Sequence, residues 1–202
     1  MVKYNPSTSG EFIEFISEYN EFAKPKSQKK VYIESEVQAK DLHLDQRNAF
    51  VGMRDYSRDA LLNDAGLPYD LFVLEGSAGN GKTFVVAPFV HFYLKRNPML
   101  RICHTAPTHR AVGVCRKSSP IKGSSRLDYK TIHSLLGIHL YYDQEGNEKY
   151  IENPLKATIR KYDLIIIDEA SMLPREILLV LIKYLVLGLK IILIGDKKQL
   201  PP

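Results

Sequence analysis

The sequence predicts an α/β fold in which a mostly parallel sheet is flanked by helices on both faces. Four short β-rich runs alternate with helical patterns: Leu71–Glu75, Arg101–Ala106, Tyr162–Asp168 and Lys190–Gly195. Three of these runs have continuously apolar centres, which is typical of strands that are covered on both sides. Polar motifs follow the runs at their carboxyl ends, where ligands bind in open α/β sheets.

The length of 202 residues, 45% of them hydrophobic, allows one sizeable core and an extension. Residues Glu11 to Phe22 space their apolar side chains as one face of a short helix, and the basic stretch Lys24–Lys30 follows as a solvated linker. We therefore expect an N-terminal helix and linker over 1–44, and one domain over 45–202.

Composition restricts the compartment and the partners. A net charge of +5 and a pI of about 9.0 permit a polyanionic partner. Two cysteines, Cys103 and Cys115, argue against a disulfide framework and favour a reducing, intracellular setting, cytoplasmic or nucleoid-associated. The apolar stretch from Ile177 to Ile194 is interrupted by two lysines and a glycine, so it predicts a buried helix followed by a strand, and no membrane contact.

A phosphate-binding loop follows the first apolar run and opens a helical stretch. Its residues are Gly76, Ser77, Ala78, Gly79, Asn80, Gly81, Lys82 and Thr83. Glycines in such a loop let backbone N–H groups surround phosphates, while the lysine reaches the β/γ-phosphates and the hydroxyl holds Mg²⁺. An ordinary glycine turn is the alternative, but the strand before the loop and the helix after it favour an ATP and Mg²⁺ site.

Two acids, Asp168 and Glu169, follow the third apolar run. With a phosphate loop upstream, we expect Asp168 to hold Mg²⁺ together with Thr83, and Glu169 to orient and deprotonate the attacking water. Taken alone, such a pair is more often a charge pair at a helix N-terminus. The fourth run leads to Gln199, whose amide can contact a γ-phosphate or its water, although a polar turn before prolines is the alternative.

Six segments, in this order, resemble the motifs of superfamily 1 DNA helicases, particularly the RecD-like and Dda-like 1B branch. They are Leu44–Phe50 (adenine-reading motif), Gly76–Thr83 (motif I), Ala106–Ala111 (motif Ia), Thr131–Leu136 (motif Ib), Asp168–Ser171 (motif II) and Gly195–Pro202 (motif III). The match runs from Asp45 to Pro202. In motif Ia, His109 and Arg110 replace the usual glycine or asparagine followed by lysine.

The resemblance implies a RecA-like P-loop NTPase fold that hydrolyses ATP to move 5′ to 3′ along DNA. It implies that Gln46 contacts the adenine and that Lys82, Glu169 and Gln199 are catalytic. It also implies that the motif III strand lies between the motif I and motif II strands. The family continues into a second RecA-like domain beyond Pro202, so we expect this chain to bind ATP·Mg²⁺ but to hydrolyse it poorly and not to unwind DNA unaided. A monomer is favoured.

A basic segment precedes motif Ib and contains one acid, Asp128. Its basic residues are Arg110, Arg116, Lys117, Lys122, Arg126 and Lys130. Charge alone favours a solvated loop over a DNA-binding segment. The resemblance brings motifs Ia and Ib to single-stranded DNA, so Thr108, Arg110 and His133 are predicted contacts.

A β-hairpin is predicted at about 138–152, because two aromatic-rich runs flank Gly146-Asn147. In the resembled helicases an inserted hairpin at this place splits the duplex. Tyr141 and Tyr142 are therefore predicted to contact DNA at single/double-strand junctions. A surface hairpin without this role would show the same pattern.

Two other functions stay open at this stage. The first is a nucleotide-gated binding module without motor activity, which stimulation of ATP turnover by single-stranded DNA would reject. The second is a phosphate-loop kinase for a small substrate, which has no need of Gln46 or Gln199.

Overall fold

The computed structural model describes residues 42–58, 71–76, 81–119, 121, 124–146, 148–185 and 189–196. The predicted N-terminal helix and linker lie outside the described residues, except for residues 42–44. So do Ser77, Ala78, Gly79 and Asn80 of the phosphate loop, Lys122, Asn147, the side chain of Thr83, and motif III from residue 197 onwards, including Gln199.

Twelve regular elements follow one another in the part of the chain that the structure describes. They are α1 (Leu44–Ser57), β1 (Leu71–Glu75), α2 (Lys82–Arg96), β2 (Ile102–Ala106), α3 (His109–Ser118), β3 (Leu127–Thr131), α4 (Ile132–Leu136), β4 (Ile138–Tyr142), β5 (Glu148–Glu152), β6 (Leu164–Ile167), α5 (Arg175–Leu185) and β7 (Lys190–Gly195). Short 3₁₀ helices span Ile159–Lys161 and Ala170–Met172.

The main sheet has five parallel strands in the order β1-β7-β6-β2-β3. This order confirms the predicted parallel sheet and the position of the motif III strand, β7, between the strands of motifs I and II. The fifth strand, β3, was missed, because Asp128 and Lys130 alternate with less polar residues and resemble a charged loop. Such alternation is what an edge strand shows when its side chains are only partly covered.

Helices cover the sheet on both faces, as predicted. On one face, Met53 of α1 and Phe89 of α2 pack on strand residues that include Ile166 and Ile192. On the other face, α4 and α5 pack through residues such as Leu135 and Ile177 on Ile165 and Leu193. The strand residues alternate between these two cores because successive side chains of a strand point to opposite faces.

The predicted transition from helix to strand between Ile177 and Ile194 is confirmed, since the end of α5 and most of β7 fall in that stretch. Among the described residues, no helix combines the length and the apolar character that crossing a bilayer requires. Cys103 and Cys115 are both buried free thiols.

The predicted hairpin is confirmed as the antiparallel pair β4–β5. Its base is held by two contacts with the helices on that side of the sheet. The ring of Tyr150 stacks on His133 of α4 with 5.9 Å between centroids, and Glu152 pairs with Lys183 of α5 at 2.8 Å. Tyr142 is 62% exposed and Tyr141 44% exposed, so the hairpin presents aromatic surface.

Candidate functional site

The candidate site lies at the carboxyl edge of the sheet, where the motif-bearing strands β1, β6 and β7 end together. The N–H of Gly76 donates to the carbonyl of Gly195 at 3.3 Å, which continues the β1–β7 pairing into the phosphate loop. The N–H of Asp168 donates to the carbonyl of Thr105 at 2.8 Å. Parallel strands place the residues that follow them at one common edge, so Gly76, Asp168 and Gly195, the first residues of motifs I, II and III, lie along this edge.

The phosphate loop leads into α2 through Gly81 and Lys82. Gly81 caps α2 with a φ of 71°, a left-handed conformation that favours glycine. The ammonium of Lys82 donates to the carbonyl of Gly76, so the lysine side chain spans the base of the loop. The positive end of the α2 dipole and the ammonium therefore lie at the same place, which is an arrangement that attracts phosphate.

Gln46 lies against this loop. Its Oε1 accepts a hydrogen bond from the N–H of His43 at 3.0 Å and so caps the start of α1. A Cβ atom placed on Gly81 would lie 2.5 Å from Nε2 of Gln46. The predicted adenine-reading side chain therefore lies next to Gly81, the residue that ends the phosphate loop before α2.

The two oxygens of Asp168 are held from two directions. Oδ1 accepts from the N–H of Glu169 at 3.0 Å, and Oδ2 accepts from the thiol of Cys115 at 3.5 Å. Sequence reasoning missed Cys115 as a neighbour of this carboxylate. The available signal was its spacing on α3, since Ala111, Val112 and Cys115 form the buried side of that helix.

Glu169 has a strained backbone. Its φ is 54°, and among the described residues it alone combines a positive φ with a side chain. Burial raises the pKa of its carboxyl, the neighbouring Asp168 raises it further, and the charge of Arg110 opposes both effects. Strained residues with a raised carboxyl pKa are characteristic of catalytic bases.

Motifs II and III are in direct contact. A Cβ atom placed on Gly195 would lie 3.4 Å from the backbone nitrogen of Ser171. The turn that carries Glu169 therefore packs on the end of β7, the strand that leads toward Gln199. Asp196, just after β7, is buried with 5% of its surface exposed.

Thr108 and His133 have structural partners besides their predicted DNA contacts. Thr108 is exposed at the start of α3 and accepts the N–H of Ala111 at 3.1 Å, but its hydroxyl proton remains able to donate. One face of the His133 ring is covered by Tyr150, and burial lowers the pKa of His133. The single-strand contacts of both residues stay predictions.

Part of the basic segment stabilises the fold. The segment is therefore not a single DNA-binding run, and it is not a single solvated loop. Arg126 donates to the carbonyls of Leu94 and Asn97, each at 3.0 Å, and so closes the end of α2. Lys130 donates to the hydroxyl of Thr158 at 3.2 Å. The two basic residues are visible in the sequence. The carbonyl and hydroxyl groups that accept their hydrogen bonds lie about thirty positions away in the chain.

Arg110 and Lys117 of the same segment are exposed on α3. Arg116, also exposed, donates to the carbonyl of Tyr129 at 3.4 Å. The charge of Arg110 is close enough to Glu169 to lower the pKa of that carboxyl.

Comparison with known proteins gives consistent results. A family model described as an AAA domain matches residues 59–202. The uncharacterized protein R530 of Acanthamoeba polyphaga mimivirus is 32% identical over 145 residues, 66% of this chain and 29% of that protein. The ATP-dependent RecD2 DNA helicase of Deinococcus radiodurans is 30% identical over 132 residues, 65% of this chain and 16% of that protein.

Among solved structures, the crystal structure of the Pif1 helicase from Candida albicans is similar in fold. The TM-score is 0.53 at 21% identity, over 80% of this chain and 34% of that one. The chain spans less than a third of the length of either curated relative. The family model covers most of the chain, and the fold and the order of the motifs agree with it. The chain therefore belongs to the AAA domain family, and its sequence and fold are similar to those of superfamily 1, RecD- and Pif1-like helicase motor domains.

Proposed function

We propose that this chain is the ATP-binding motor domain of an ATP-dependent 5′→3′ DNA helicase. In this role it couples ATP hydrolysis to translocation on single-stranded DNA and to duplex unwinding. The observation that carries the proposal is that Lys82, Asp168 and Glu169 all lie at the carboxyl edge of the sheet. The RecD2 relative, an ATP-dependent DNA helicase by name, supports the choice of nucleotide and polymer.

The residues present fit Mg²⁺, because a carboxylate and a hydroxyl are the hard oxygen ligands that this ion prefers. Asp168 and Thr83 would hold the ion, which supplies positive charge against the phosphates when bound. Lys82 and the backbone N–H groups of Gly76–Thr83 bind the phosphates, and Gln46 orients the adenine. The hydrogen bonds from Glu169 N–H and Cys115 to Asp168 hold its carboxylate in one orientation.

Glu169 orients the attacking water and accepts its proton. Its raised pKa makes it a stronger base than an exposed glutamate, while Asp168 beside it remains available for the metal. Gln199 contacts the γ-phosphate or the water and so distinguishes the triphosphate from the diphosphate. The close packing of Ser171 on Gly195 connects the turn that carries Glu169 with the start of motif III.

On the polymer side, Thr108, Arg110 and His133 bind the single strand. A DNA phosphate that engages Arg110 draws that charge away from Glu169, and this change raises the basicity of the carboxylate. Single-stranded DNA thereby favours proton transfer at the ATP site. The second RecA-like domain of the parent protein supplies the other side of the cleft.

The proposal is tested by ATP turnover with and without single-stranded DNA, in this chain and in a longer form that includes the second domain. We expect residues 1–202 by themselves to bind ATP·Mg²⁺ but to turn it over on the order of 10³-fold or more slowly than the longer form, because an arginine finger supplied by a second domain contributes about this much in phosphate-loop enzymes. The longer form should be stimulated by DNA. Turnover independent of DNA would favour the non-motor module, and phosphate transfer to a nucleoside would favour the kinase.

For the hairpin we predict a selective loss of unwinding. Replacing Tyr141 and Tyr142 together with alanine, in the longer form, should lower the unwinding rate about tenfold, because aromatic stacking on a base contributes roughly 1–3 kcal/mol. ATP turnover stimulated by single-stranded DNA should change less than about twofold, since the ATP site is not touched. The measurement is strand separation of a tailed duplex alongside ATP turnover.

Leu155→Ala is the matched control for the hairpin, because Leu155 is 97% exposed just beyond β5. It should leave both rates unchanged. Unwinding at the normal rate by the double tyrosine variant would mean that the hairpin has no role in splitting the duplex.

A further inference from the structure

Three side chains with different donor atoms, one of them Asp168, lie close together in the protein interior. A ring nitrogen of His104, Sγ of Cys115 and a carboxylate oxygen of Asp168 all lie within 4.8 Å of one another. They come from three separate elements, since His104 is in β2, Cys115 is in α3 and Asp168 follows β6. His104 is 5% exposed and Cys115 is 3% exposed, so this cluster is an interior feature.

His104 is the unusual member of the cluster. It occupies the middle of β2, a strand whose residues are all buried, where an apolar side chain is the ordinary choice. Within the part of the chain that the structure describes, Nε2 of His104 has no hydrogen-bond partner. Buried polar atoms are almost always satisfied, and an exception indicates a missing water, an ion or a functional role.

We propose that His104, Cys115 and Asp168 form a binding site for a divalent transition-metal ion, with Zn²⁺ as the best candidate. One nitrogen, one sulfur and one oxygen ligand suit zinc, whereas Mg²⁺ and Ca²⁺ select oxygen alone. Three protein ligands leave the fourth tetrahedral position open for water. On binding, a sulfur–metal bond forms, and the thiol proton of Cys115 passes to solvent.

The site shares Asp168 with the proposed Mg²⁺·ATP site, so this consequence rests on the proposed function. Two divalent cations on one carboxylate repel each other, so zinc held by Asp168 toward Cys115 weakens the binding of Mg²⁺ by the same carboxylate. Transition metal and nucleotide therefore compete, and by linkage each weakens the other by the same factor. The metal would act as an inhibitor of the motor.

Binding is tested by titrating the tag-free 202-residue chain with Co²⁺, a spectroscopic substitute for Zn²⁺. We expect one equivalent to give a thiolate-to-cobalt charge-transfer band together with the intense visible bands of four-coordinate cobalt. Zn²⁺ should then remove both. Cys115→Ser should abolish the charge-transfer band, and His104→Gln should weaken Co²⁺ affinity by about tenfold or more.

The chain offers a matched control in Cys103→Ala. Cys103 precedes His104 in β2 but points into the core on the opposite face of the sheet. This variant should keep the thiolate-to-cobalt charge-transfer band and the wild-type affinity for Co²⁺. The site is refuted if stoichiometric Co²⁺ gives no thiolate band, or if the band survives Cys115→Ser. Should Cys115→Ser not fold, as judged by circular dichroism, unchanged affinity in His104→Gln refutes it equally.

Competition is tested by adding ADP with excess Mg²⁺ to the cobalt-loaded protein. Nucleotide also chelates cobalt, so the same addition to Lys82→Ala, which removes the phosphate-binding ammonium, provides the baseline. A larger loss of the band in the wild type than in Lys82→Ala supports competition, and equal losses overturn it. Failure of the wild type to bind ADP at all would count against the proposed function instead, and leaves the metal titration intact as evidence for the site.

Discussion

Replacing Glu169 with glutamine is expected to lower DNA-stimulated ATP turnover by about 10²–10⁴-fold, the usual contribution of a general base. The change is made in the longer form with both motor domains. The amide has nearly the same shape as the carboxylate but cannot accept a proton. ATP affinity should change little, because Lys82 and the phosphate loop are intact.

The pH profile gives a second readout for the same variant. Glu169 must be ionised to accept a proton, so wild-type turnover should fall as the pH drops through its pKa. That pKa is raised by burial and by Asp168, so the fall should begin at a higher pH than for an exposed glutamate. The residual ATP turnover of Glu169→Gln should not show this decrease at low pH.

The measurements are the steady-state release of phosphate at saturating DNA and the equilibrium binding of a fluorescent ATP analogue. Glu176→Gln is the control, since Glu176 is an exposed acid on α5 a few residues further along. It should retain its turnover within about twofold. Normal turnover in Glu169→Gln would place the base elsewhere and count against the helicase assignment.

The second large effect is expected at Gly137, which joins α4 to the hairpin. Its φ is 68°, and a Cβ atom there would lie 2.5 Å from the carbonyl oxygen of Asn153 and 2.7 Å from the nitrogen of Ala157. Both neighbours are backbone atoms that cannot rotate away. We expect Gly137→Ala to lower the free energy of unfolding by about 3 kcal/mol, since a left-handed residue costs roughly 1–2 and overpacking roughly 1–3.

Urea unfolding of the two proteins measures this difference, provided that the m-value is unchanged. Gly146→Ala in the hairpin turn separates strain from crowding, because Gly146 has a φ of 83°, but no described residue other than its chain neighbours comes within 4 Å of a Cβ placed there. The free energy of unfolding of Gly146→Ala should fall by only about 1–2 kcal/mol. Equal losses in the two variants would show that the contact at Gly137 is relieved by a backbone shift.

The phosphate loop, Asp168 and Glu169 could be found in the sequence because their chemistry requires particular residue types at fixed local spacing. Strands buried on both faces were also visible, since their apolar runs admit few other interpretations. Edge strand β3 was not, because its charges find partners only in the folded chain. Asp128, for example, accepts from the hydroxyl of Tyr162 at 2.7 Å.

The sequence by itself determined the fold class and the hairpin, and it pointed to the residues to which we assign the ATP chemistry. Only the tertiary structure decided that Cys115 contacts Asp168 across 53 positions, that His104 lies beside them, and that Arg126 caps a helix. Local motifs depend on neighbours within a few residues, whereas burial and pairing depend on contacts between distant elements. Those contacts exist only after the sheet order brings the strands together.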